Sequence, residues 1–177
     1  TNTMKKLLLP LALAAGLGSA HATVFNFDFL NGQMEGAQEV GPVTTSAIGI
    51  ANSITFDDVS NLLTVSVSYS GGLNAAPTAA HVHGLSAVGV NSGVIFGLTI
   101  TGDQTSGTIT GSGTLTDPQE AGLFAEQLYV NLHTSAHLGG EIRGQLVLVP
   151  VPEPEEYAAL AGAGLVGFAL WRRRSRA

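Results

Sequence analysis

At 177 residues the chain has room for one domain and short appendages. It has no cysteine, which excludes disulfides, thiolate nucleophiles and thiolate metal ligands. Between Thr23 and Pro150, Arg143 is the sole Lys or Arg against ten carboxylates, a formal charge of −9, and so acidic a surface excludes nucleic-acid binding, which needs clustered cations.

The first segment is an address. Thr1–Thr3 precede Met4, and Lys5-Lys6 form a positive n-region. Leu7–Leu17 is an apolar run too short to favour a membrane span, and Ala20-His21-Ala22 supplies a small-x-small cleavage pattern. Residues 1–22 therefore read as a signal peptide with upstream residues, cut by signal peptidase after Ala22. The chain is expected to be exported.

From residue 23 the pattern is that of strands. Phe25, Phe27 and Phe29 alternate with Asn26 and Asp28, the period of a half-buried strand. Ile48, Ile50, Ile54 and Phe56 hold even positions of a second strand, with Asn52 the exception. After a turn at 57–61, Leu63, Val65, Val67 and Tyr69 alternate with Thr64, Ser66 and Ser68, predicting an antiparallel hairpin with one wet face. Further strands are predicted at 79–83, 94–100, 107–114, 128–133 and 142–149. Asp117 as N-cap, Pro118 at N1 and Glu120 at N3 predict one short helix before Leu123 and Phe124. The expected fold of residues 23–149 is all-β, an antiparallel β-sandwich of about eight strands with one short helix.

Histidines carry the chemistry. His81 and His83 flank Val82, so both imidazoles leave one face of a strand while Val82 enters the core. His133 follows Tyr129 and Asn131 on the face opposite Leu128, Val130 and Leu132, and His137 lies in a turn ahead of Gly139-Gly140. Four neutral imidazoles in two tight clusters suit copper or zinc. Local hydrogen bonding that holds strand ends in register is the alternative role. Glu141 and Arg143, at i and i+2, share a strand face and are expected to form a structural ion pair. No Gly-x-Ser-x-Gly elbow supports a serine nucleophile, and Gly111-Ser112-Gly113 lacks the lysine and helix of a phosphate cradle, so no catalytic residue is assigned.

Ala80-His81-Val82-His83-Gly84, Leu128–Thr134 and Gly139-Gly140-Glu141-Ile142-Arg143-Gly144-Gln145-Leu146 resemble motifs of the CHRD domain, a module of chordin and of bacterial exported proteins. The resemblance spans roughly residues 25–149 and implies an extracellular β-sandwich that is not a known enzyme; the expected function is that of a surface or matrix module acting by binding. Members often have proline where this chain has Leu138, and often lack a histidine at position 137, so the resemblance supports His137 less than the other three. A looser likeness is to copper-zinc superoxide dismutase, which also has His-Val-His on a strand and a histidine beside a Gly-Gly turn. It implies a copper redox enzyme as the alternative function, although the zinc-site aspartate and remaining histidines find no counterpart here.

Residues 150–177 form the last segment. Each proline of Pro152-Glu153-Pro154 fixes φ and restricts its predecessor, which gives a rigid stretch. Tyr157–Trp171 is apolar, and Arg172, Arg173 and Arg174 follow. As a helix the apolar run would cover about 22 Å of a ~30 Å hydrocarbon core, which Trp171 and snorkelling arginines make tolerable. The arginines would stay cytoplasmic and leave the β domain outside. This three-part order resembles the PEP-CTERM sorting tail. The resemblance implies a transient membrane anchor cut by an exosortase, then a mature form at the surface or in the extracellular matrix, with exopolysaccharide or a matrix protein as partner.

Overall fold

Period-2 alternation yields nine β-strands within residues 23–150: β1 (Val24–Phe29), β2 (Met34–Glu35), β3 (Ile48–Asp57), β4 (Leu62–Ser70), β5 (Pro77–His83), β6 (Val94–Gly102), β7 (Gly107–Thr114), β8 (Tyr129–Thr134) and β9 (Ile142–Leu148). One helix, α1 (Asp117–Phe124), interrupts them. The computed structural model describes residues 23–150 with Phe168 and Arg172. The expected signal peptide and, apart from Phe168, the apolar stretch of the tail lie outside the described residues. Among those described, no helix is long and apolar enough to cross a membrane.

The strands form one closed antiparallel barrel, not the two stacked sheets expected of a sandwich. Going round it, β3, β4, β7, β6, β5, β8 and β9 pair in turn. β1 and β2 share the eighth position, since each pairs with both β3 and β9. Their break is a 3-10 turn at Leu30–Gly32, where Asn31 takes φ 66°. Because this broken strand is bonded along both edges, no edge is left to separate two sheets. Strand alternation looks the same in a sandwich and in a barrel; only this pairing distinguishes them.

Two local expectations also change. A bulge between Ala51 and Ser53 switches the phase of β3, so Ile54 and Phe56 are buried while Ile50 is 43% exposed. Helix α1 begins one residue earlier than expected: Thr116 is the N-cap and its N–H donates to Gln119 Oε1 at 2.9 Å.

The barrel interior is built from residues including Phe27, Ile54, Val65, Val67, Val82, Val130 and Leu146, all in one buried cluster. Leu123 of α1 joins it, and the Phe124 ring packs on Phe25, Phe27 and Phe56 at 4.9, 5.9 and 5.8 Å. Strand β8 differs from the rest. All six of its residues are buried, so its outer face is covered as well.

Candidate metal centre

Strand β8 lies between β5 and β9. Register sets His83 beside Tyr129 and Tyr129 beside Gln145; one step along, His81 is beside Asn131 and Asn131 beside Arg143. His133 is opposite Ala79. Directly paired residues share a face, so these side chains form one outer patch behind Val82, Val130 and Leu132. Among the described residues it holds five of the eight buried polar or charged side chains: His83, Asn131, His133, Arg143 and Gln145.

Three histidines converge here. One ligand atom from each of His81, His83 and His133 lies within 4.8 Å of the other two. Ring centroids are 5.0 Å apart for His81 and His133, 5.5 Å for His81 and His83, and 5.7 Å for His83 and His133. A bulge in the β5–β6 pairing falls between Val82 and His83 and re-aims the strand at this point.

Hydrogen bonds set the tautomers. His83 Nδ1 is 3.0 Å from the Ser92 carbonyl, and His133 Nδ1 is 2.9 Å from the Leu138 carbonyl. A carbonyl only accepts, so each Nδ1 carries the proton and each Nε2 carries a lone pair. Those Nε2 atoms, with His81 Nδ1, are buried and have no hydrogen-bond partner. Buried polar atoms are ordinarily paired. Three clustered imidazole rings, each with a buried unpaired nitrogen, are a donor set for a cation. Backbone carbonyls take the outer-shell part that orients such ligands.

Electrostatics favours the neutral rings. Burial pushes the His83 imidazole below the usual histidine range, and His133, His81 and Arg143 add to this against the opposing bond to Ser92. Burial likewise lowers His133, with His81 contributing. His81 is half-buried. Its β6 neighbour is Gly97, where an added Cβ would meet only His81 Cδ2, at 4.0 Å. The patch therefore opens to solvent on the His81 side.

His137 stays outside the three-histidine group; its Nε2 is 3.1 Å from Asn74 Nδ2. The expected Glu141–Arg143 ion pair is replaced by other partners. Glu141 accepts from the Thr45 hydroxyl (2.8 Å), the Asn74 N–H (2.6 Å) and the Thr134 hydroxyl (2.7 Å). Arg143 donates to the Val90 carbonyl (3.1 Å), Asn91 Oδ1 (3.5 Å) and Gln145 Oε1 (2.9 Å). Glu141 precedes the first residue of β9 and is drawn into the loops there, so the i, i+2 relation does not hold.

Arg143 faces Glu39 electrostatically instead. Glu39 was not legible as a site residue, being far away in sequence and in no motif; a lone buried cation in need of a countercharge is the signal that leads to it. Glu39 Oε1 and Asn131 Oδ1 are both buried without a partner and lie against Gly140. With φ at 129° and no room for a Cβ beside these two side chains, position 140 admits only glycine.

Comparison with known proteins gives one result at the level of families. The CHRD domain matches residues 30–146, a stretch that contains the three converging histidines and Arg143. No curated protein and no solved structure matches the chain.

Proposed function

We propose a function from one premise: the chain belongs to the CHRD domain family. In this reading it is an exported binding module whose barrel takes up copper(II) or zinc(II) through His81, His83 and His133. One observation carries it: His81, His83 and His133 each bring a ligand atom within 4.8 Å of the other two, each ring has a buried unpaired nitrogen, and two of the rings are locked by backbone carbonyls. The chemistry of the donor set agrees. Imidazole suits copper and zinc, while calcium and magnesium prefer oxygen.

Calorimetric titration of the chain with Cu(II) and Zn(II) is expected to show one site. The His81→Ala, His83→Ala double variant should lose it, because a single imidazole does not hold a metal tightly. Uptake should weaken as pH falls through the imidazole range, since only neutral rings bind. Equal weak binding by both proteins would leave the histidines as strand-end hydrogen-bonding groups.

A copper redox function is the second reading, favoured by the ligand count. Closed structural sites commonly have four protein ligands, and sites that act on a substrate leave one position open. Superoxide removal by the copper-loaded chain no faster than by copper in buffer would exclude it.

Export and sorting belong to the same proposal and rest on the sequence patterns at the two ends. Mass spectrometry of the extracellular form should find Thr23 as the first residue and most or all of residues 157–177 missing. The arginines at 172–174 would be removed with the transient anchor after exosortase processing at Pro152-Glu153-Pro154. Recovery of the intact tail from the culture matrix overturns this part. Exopolysaccharide or a matrix protein is the proposed partner of the released form.

A further inference from the structure

Arg143 is the sole cation between Thr23 and Pro150, yet it is 1% exposed and lies beside a site built for another cation. Repulsion alone would count against such a residue, so its contacts must offset that cost. Its Cζ sits 3.5 Å from the centroid of the Tyr129 ring. On that same ring stacks His83, with centroids 4.9 Å apart and planes 6° from parallel. Because β8 runs between β5 and β9, His83 and Arg143 approach Tyr129 from its two sides.

A second line of contacts leads to the same ring. Arg143 Nη1 holds the Val90 carbonyl and Asn91 Oδ1, fixing the segment that ends in Ser92. The Ser92 N–H donates to the Tyr129 hydroxyl at 3.0 Å, and the Ser92 carbonyl accepts from His83 Nδ1 at 3.0 Å. The bond that leaves His83 Nε2 free for metal thus depends on a segment clamped by Arg143. Gln145 keeps the clamp in place, accepting from Arg143 Nη2 and donating to the Glu126 carbonyl at 2.6 Å.

We propose that Arg143 is the positioning residue of the imidazole site, setting the orientation of His83 through the Tyr129 ring and through the Val90–Ser92 segment. This rests on the metal-binding reading above. A planar fork can bond Val90, Asn91 and Gln145 while lying flat on an aromatic ring; a lysine keeps the charge but, as a compact ammonium, cannot stack flat on the ring and span all three acceptors at once.

Arg143→Lys is therefore the discriminating variant. With all three histidines present, the full chain carrying it should bind Zn(II) about 10–100-fold more weakly in competition with a chromophoric chelator, the range seen for outer-shell partners. The electron paramagnetic resonance spectrum of its Cu(II) complex should change in copper hyperfine splitting, which a role confined to stability would not alter. Circular dichroism establishes that the variant is folded. If it is not, Tyr129→Leu removes the ring while keeping the core side of β8, and the same two changes are expected. A folded variant with wild-type affinity and spectrum overturns the positioning role. A wild-type chain that takes up neither Zn(II) nor Cu(II) overturns the site itself, and this role with it.

Discussion

Replacing Glu141 by alanine is expected to destabilise the domain by about 3–5 kcal/mol, much of the typical 5–15 kcal/mol total. The carboxylate is fully buried and gathers three donors from three separate segments: Thr45, Asn74 and Thr134. Alanine leaves the Asn74 N–H and two hydroxyls without their acceptor and opens a cavity as well. The loss should also reach the candidate metal centre. Thr134 begins the turn whose Leu138 carbonyl locks His133, and it bonds His137 through its hydroxyl and carbonyl. Denaturant unfolding measures the first effect and Zn(II) titration the second. A Glu141→Ala protein within about 1 kcal/mol of wild type would show that these bonds are replaced by water at little cost.

Glu39→Gln should change how stability depends on pH. Burial pushes the Glu39 carboxyl from its ordinary 4.5 up to about 7, against the opposing influence of the Arg143 guanidinium and the neighbouring Asn131 side chain. The folded value lies above the unfolded one, so folding takes up a proton between them. This contribution is full below about pH 4.5 and is lost as pH rises through about 7. Its size is at most about 3–4 kcal/mol, at roughly 1.4 kcal/mol per tenfold. His83 and His133 act in the opposite direction. Their values fall below 6.5 on folding, so stability drops as pH falls through that range in wild type and variant alike. The difference between the two proteins therefore isolates Glu39. Glutamine should lead wild type above pH 8 and lose that lead by about pH 4.5. Parallel unfolding curves across this range would mean that the carboxyl is stabilised as an anion by Arg143.

The candidate site was legible in its ligands and not in its frame. His81 and His83 are legible because a strand sends i and i+2 to one face, and His133 because it shares a face with Tyr129 and Asn131. Each inference uses only the period of one strand. The Glu141–Arg143 pair failed because that period stops at a strand end, where Glu141 turns into the loops. Glu39, Ser92 and the stacking of Tyr129 between His83 and Arg143 needed the order of strands round the barrel.

What the sequence by itself determined is local: the strand and helix positions to within a few residues, the inward set from Phe27 to Leu146, the absence of thiol chemistry and the acidic charge. These follow from side-chain alternation and composition, which act over a few residues of chain. Tertiary structure alone decided that the sheet closes, because closure depends on β1 and β2 bonding both β3, 13 to 33 residues away, and β9, 108 to 121 residues away. It also decided that the outer face of β8 is dry. A strand pattern shows which side chains oppose the core, whereas whether loops then cover them depends on where distant segments settle. Here they do settle, and a row expected to meet water became a buried polar patch with three free imidazole nitrogens.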